Sequence, residues 1–131
     1  MGAGPRHTRD EEGTVLVEAV LFVPVVMFLI LVVVQGAMWM HASQVAQLAA
    51  SEGDRVGRSF GGGAGVGVAQ AQAILHAPGA NVSASTVTAA VLPGDALVVR
   101  VSAHVPTIVP GLVLSVSSSA NGTIQKFRGS E

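Results

Sequence analysis

The run Val15-Leu-Val-Glu18-Ala-Val-Leu-Phe-Val-Pro24-Val-Val-Met-Phe-Leu-Ile-Leu-Val-Val-Val-Gln35-Gly-Ala-Met-Trp39-Met40 decides how this chain folds. Its clearly polar side chains are Glu18 and Gln35, and Ala19 to Val34 contains none. A bilayer core about 30 Å thick is crossed by roughly 20 apolar residues in helix, and this run is longer. Hydrocarbon offers the backbone no hydrogen-bond partner, so a segment placed there must satisfy its own groups, as a helix does. Valine and isoleucine are mediocre helix formers in water, a weak preference beside that constraint. Pro24 is then expected to kink the helix rather than break it. Trp39, between Met38 and Met40, stands where an interfacial aromatic would. Two other readings fit less well. A buried core helix needs more bulk around it than the rest of the chain supplies. A secretory signal has an apolar region of about 7–15 residues and a small-residue cleavage site, and neither matches. The expectation is a retained single-pass membrane helix. Arg6 and Arg9 precede it, and Arg55 and Arg58 follow at the distance where the positive-inside rule fades. Charge therefore favours a cytoplasmic N-terminus by a small margin.

Composition agrees. Half of the 131 residues are hydrophobic and 11% are charged, which is greasy for a free-standing soluble domain. A net charge of −1, with the seven basic residues scattered, gives no nucleic-acid-binding surface. The absence of cysteine excludes disulfides, thiol catalysis and cysteine-based zinc sites. Aromatics at 4% are too few for a platform that stacks single-stranded bases.

Glu18 is the most informative residue. An unpaired carboxylate in hydrocarbon costs on the order of 3 kcal/mol, so one kept at the start of a membrane helix usually has a role. One reading leaves Glu18 in the headgroup zone, favoured by the positive end of the helix dipole. The other uses Gly13, five residues earlier. If the chain were cut after Gly13, the new ammonium of Thr14 would lie one helical turn from Glu18. The ammonium of one subunit could then neutralise the carboxylate of another, making Glu18 a registration device for assembly.

The stretch Gly13-Thr-Val-Leu-Val-Glu18-Ala-Val-Leu-Phe-Val-Pro24 resembles the N-terminus of the TadE-like pseudopilins of tight-adherence (Flp-type) pilus systems. The segment Trp39-Met-His-Ala-Ser-Gln-Val-Ala-Gln-Leu-Ala-Ala-Ser-Glu52-Gly53-Asp-Arg55 is similar to their alanine-rich helix continuation. Val109-Pro-Gly-Leu and Lys126-Phe-Arg resemble high-GC Gram-positive members more loosely. The resemblance implies cleavage by a prepilin peptidase between Gly13 and Thr14, with Glu18 the recognition and assembly residue. It also implies partners: other pilin or pseudopilin subunits and an inner-membrane assembly platform. The chain departs from the pattern at Ala19, where an aromatic is common, and at Gln35, where a second acidic residue is common. Asp10, Glu11 and Glu12 stand where leaders tend to be basic.

Beyond the membrane, Met40 to about Ser59 reads as the same helix continued, with Val45, Leu48, Ala49 and Val56 near one face and an Asp54–Arg58 i,i+4 pair; its Ala-rich face is expected as core in preference to a subunit contact. Gly53 and Gly57 should mark its failure. Gly61-Gly-Gly-Ala-Gly-Val-Gly67 lacks the Lys-Ser/Thr and the preceding strand of a phosphate loop, and reads as a hinge. Val68 to His76 is predicted to be a short helix stopped by Pro78-Gly79. Strands are predicted over Val82–Leu92, around Leu97–Ala103, around Leu112–Ser119 and around Thr123–Arg128, with turns at Pro93-Gly94-Asp95 and Asn121-Gly122.

The expected fold is α+β: a long N-terminal transmembrane helix continuing outside the membrane, a short second helix and a small antiparallel sheet of three or four strands. Its parts are a cytoplasmic leader 1–13, transmembrane helix 14–40, helix extension 41–60, Gly-rich hinge 61–67 and exported module 68–131. No catalytic or metal constellation is expected, because His7, His41, His76 and His104 lack ligand spacing and the serines lack a nucleophile-elbow context. Neither an enzyme nor a cofactor is expected. Two functions remain: a minor pilin or pseudopilin, or an uncleaved membrane-anchored binding module of the cell envelope.

Overall fold

The computed structural model describes residues 6–59 and 61–124, with side chains from Glu11 onward. Helix α1 runs Arg6–Arg58 and helix α2 Ala64–Leu75; strands β1, β2 and β3 cover Ser83–Leu92, Ala96–Val105 and Leu114–Thr123. The fold is thus α+β, with a long apolar N-terminal helix, a short second helix and a three-stranded sheet. The chain divides into two compact units, one ending at Val34 and the other beginning at Gln35.

Among its described residues the first unit is helix alone. α1 passes through Pro24 without ending. From Val15 to Ile30 the large apolar side chains are more than half exposed, apart from Val26. Each would gain about 1.5–3 kcal/mol from leaving water, so a helix like this calls for an apolar solvent rather than a polar one. Among the described residues, one helix is long and apolar enough to cross a membrane, and it is a candidate membrane anchor.

The second unit is a sheet packed on helices. Its strand order is β1-β2-β3, antiparallel throughout. β2 is central, and its alternation sends Leu97, Val99, Val101, Ala103 and Val105 into the core. Facing them are Ala42, Ala46, Ala49 and Ala50 of α1, with Ala71 and Leu75 of α2. The other sheet face is polar. Thr86, Ser102 and Ser117 lie side by side across it, as do Thr88, Arg100 and Ser119. Pro93-Gly94-Asp95 is the predicted turn, and it closes the β1–β2 hairpin with Gly94 and Asp95 both at positive φ.

The structure corrects several boundaries. The buried face of α1 is the alanine-rich one expected as core; of the larger residues placed near it, Leu48 is exposed and Val45 and Val56 are half-buried. Small residues win because the sheet and α2 come very close. α1 does not fail at Gly53. A Cβ there would lie 2.8 Å from the Gly67 carbonyl oxygen and 3.3 Å from Val99 Cγ1, so glycine lets two backbones meet. α2 begins at Ala64 rather than Val68, so the last residues of the glycine-rich stretch are helical. Asn121-Gly122 is not a turn but part of β3, paired with Val98 and Leu97. A Cβ on Gly122 would fall 2.6 Å from Arg58 Nε; glycine is there as a seat for that side chain. β3 ends at Thr123, and the predicted fourth strand extends beyond the described residues.

Candidate functional site

Gly13, Thr14 and Glu18 lie on α1 within the first unit, all exposed. A Cβ on Gly13 would meet nothing within 4 Å. Thr14 and Glu18, four residues apart in one helix, share a side of it. Glu18 therefore stands one turn from the residue that follows Gly13 and directly before the uninterrupted apolar run. That arrangement offers a carboxylate at the edge of an apolar surface. It suits pairing with a positive charge on another molecule. Among the described residues no three His, Asp or Glu side chains gather as metal ligands would.

The second unit holds polar contacts of its own. Gln35 is 2% exposed, a buried amide immediately after the apolar run. Its Nε2 donates to the Pro106 carbonyl at 3.3 Å, and its Oε1 accepts from the Ile108 N–H at 2.8 Å. Both ends of the amide are thus used on the loop joining β2 to β3. Trp39 Nε1 donates to the Ser115 carbonyl at 3.4 Å, a weaker contact to the start of β3. These roles were not read from the sequence. The signal was present: Gln35 is the one amide in an otherwise apolar stretch, and a polar side chain kept there needs partners.

Two ion pairs close the far end of α1. Arg58 Nε meets Asp54 Oδ2 at 2.8 Å, the predicted i,i+4 pair, with Asp54 almost wholly buried. Its other oxygen, Oδ1, is buried with no hydrogen-bond partner among the described residues. Arg55 and Glu52 form a surface pair at 2.7 Å. The hydrogen bond from Arg55, aided by its positive charge, holds the Glu52 carboxyl below the usual carboxylate range.

No curated protein matches this chain, and no solved structure does. A family model does match, from Gly13 through the apolar run and the alanine-rich helix to Arg55. Residues 13–55, about a third of the chain, match the TadE family, described as TadE-like protein, and this helical segment is TadE-like.

Proposed function

We propose that this protein is a minor pilin or pseudopilin that helps build a tight-adherence (Flp-type) pilus or a related secretion filament. The observation that carries the reading is that the TadE-like segment begins at Gly13 itself, the glycine five residues before Glu18. On this reading a prepilin peptidase cuts between Gly13 and Thr14. The Thr14 ammonium of one subunit then neutralises the Glu18 carboxylate of another within the membrane. Removing residues 1–13 takes away two arginines and three acids and leaves five basic and five acidic side chains. A near-neutral product suits close packing with its own kind better than attraction to a charged partner. The N-terminus lies in the cytoplasm, the apolar run spans the cell membrane, and the sheet module faces outward. Its partners are the peptidase, other pilin or pseudopilin subunits, and the inner-membrane assembly platform.

One observation favours a second reading, an uncleaved membrane-anchored binding module: the residues before Gly13 are acidic, Asp10-Glu11-Glu12. Mass spectrometry of the membrane-fraction protein separates the two. A chain starting at Thr14 only when a prepilin peptidase is co-expressed supports the first, and Glu18→Ala should then abolish filament assembly. A chain that keeps residues before Gly13 in both conditions removes cleavage from the proposal and favours the anchored module.

A further inference from the structure

The loop between β2 and β3 reads Pro106-Thr-Ile-Val-Pro-Gly-Leu-Val113 and carries no charged side chain. Its large apolar residues are not spent in the core: Ile108 is 44% exposed, Leu112 39% and Val113 80%. An exposed apolar cluster of this kind usually marks a contact. The loop is also held in place. Gln35 grips it at Pro106 and Ile108, and Trp39 bonds to Ser115 just beyond it. Gln35 directly follows Val34, the last residue of the apolar run, so the grip sits where the chain leaves that run.

We propose that loop 106–113 is a second membrane contact, with Ile108, Leu112 and Val113 lying in the interfacial zone of the leaflet from which the helix emerges. The inference rests on the reading of Ala19–Val34 as a membrane span. Continuity with that span selects lipid as the occupant. Trp39 and Met40, both exposed on the same stretch of α1 that carries Gln35, give the interface its usual aromatic and apolar neighbours. The backbone is prepared for partial removal from water. Pro106 and Pro110 have no N–H, the Ile108 N–H bonds to Gln35, and the Leu112 N–H bonds to the Val109 carbonyl at 3.3 Å. The remaining N–H groups place the loop among the headgroups and not in the hydrocarbon, where irregular backbone facing lipid is not tolerated.

The absence of cysteine makes the test direct. Val113→Cys, Leu29→Cys and Ser117→Cys each give the full-length chain one site for a polarity-sensitive fluorophore, all three at exposed positions. The labelled proteins are placed in phosphatidylcholine–phosphatidylglycerol vesicles and quenched with aqueous iodide or with doxyl lipids. Leu29 should be quenched by doxyl lipid alone and Ser117 by iodide alone. Val113 should be quenched by shallow doxyl lipid, with an iodide constant several-fold below that of Ser117. A Val113 label as open to iodide as Ser117, with Leu29 still lipid-shielded, overturns the loop contact and leaves the span standing. Iodide access at Leu29 overturns the span, and the loop contact with it. Shielding of Val113 from both quenchers that disappears on dilution with lipid makes the loop a contact between copies, and also overturns the proposal.

Discussion

Gly53 and Gly67 meet backbone to backbone: a Cβ on Gly67 would stand 2.7 Å from the Gly53 carbonyl oxygen, closer than such atoms come. This contact joins α1 to α2, and Gly57 extends it, since a Cβ there would lie 2.5 Å from Leu97 Cδ2. Helical glycine is normally a cost of about 0.5–1 kcal/mol against alanine, so each must return more than that in packing.

Gly67→Ala should destabilise the second unit by about 1–3 kcal/mol, because the backbone of α1 must shift to admit the methyl group. Gly65→Ala, two residues earlier in α2 with nothing within 4 Å of its Cβ, should be neutral or stabilise by up to about 1 kcal/mol. Thermal unfolding of the two full-length variants in the same detergent checks the contrast. Equal effects would remove the close crossing as the reason for Gly67.

Arg58→Met keeps the aliphatic stem over Gly122 but leaves the Asp54 carboxylate buried without its partner. The loss should be about 2–3 kcal/mol, below the range for a fully buried pair because Arg58 is partly exposed. Adding Asp54→Ala should restore part of that loss, so the double variant is more stable than the sum of the singles implies. Strict additivity in the double-mutant cycle would show that the two side chains do not depend on each other.

Gln35→Leu removes the partners of the Pro106 carbonyl and the Ile108 N–H together. A cost of about 1–3 kcal/mol is expected, with faster hydrogen exchange at Ile108 while amides in the middle of β2 keep their protection. Unchanged exchange at Ile108 would mean that the loop holds its shape without the glutamine.

The Glu52–Arg55 pair supplies the pH dependence. The folded carboxyl is held below its ordinary value, so the pair's contribution is present above that value and lost as pH falls through the depressed one. Glu52→Gln should therefore flatten the acid side of the stability curve slightly. High salt should shrink the difference, as for any surface pair.

Much of this architecture was legible in the residues. The apolar run gave the long helix because length and the absence of polar groups suffice for that reading. β2 was legible because Leu97, Val99, Val101 and Ala103 alternate strictly with Val98, Arg100, Ser102 and His104. What escaped depends on close approach between distant segments. Asn121-Gly122 is a strong local turn signal, but here the glycine answers to Arg58, a side chain on another element. Gly53 and Gly57 read as helix breakers for the same reason: their partner, Gly67, is remote in sequence. The alanine-rich face of α1 was legible as core, but the exposure of Leu48 was not, because only the nearness of the sheet makes small size the deciding property. Gly13, Thr14 and Glu18 were named from spacing and resemblance, which need only the local sequence.

That alanine wall sets where the chain can be shortened. Residues 42–50 of α1 form one side of the core over β2, so the helix supplies structure to the module as well as a candidate anchor. A fragment beginning just before Gln35 keeps that side, the amide that pins loop 106–113 and the glycine crossing. One beginning after Arg58, where a reader of the helix as mere tether would cut, leaves Leu97, Val99 and Val101 open to water. The piece of this protein that keeps its packing is thus bounded by its core and not by the end of its longest helix.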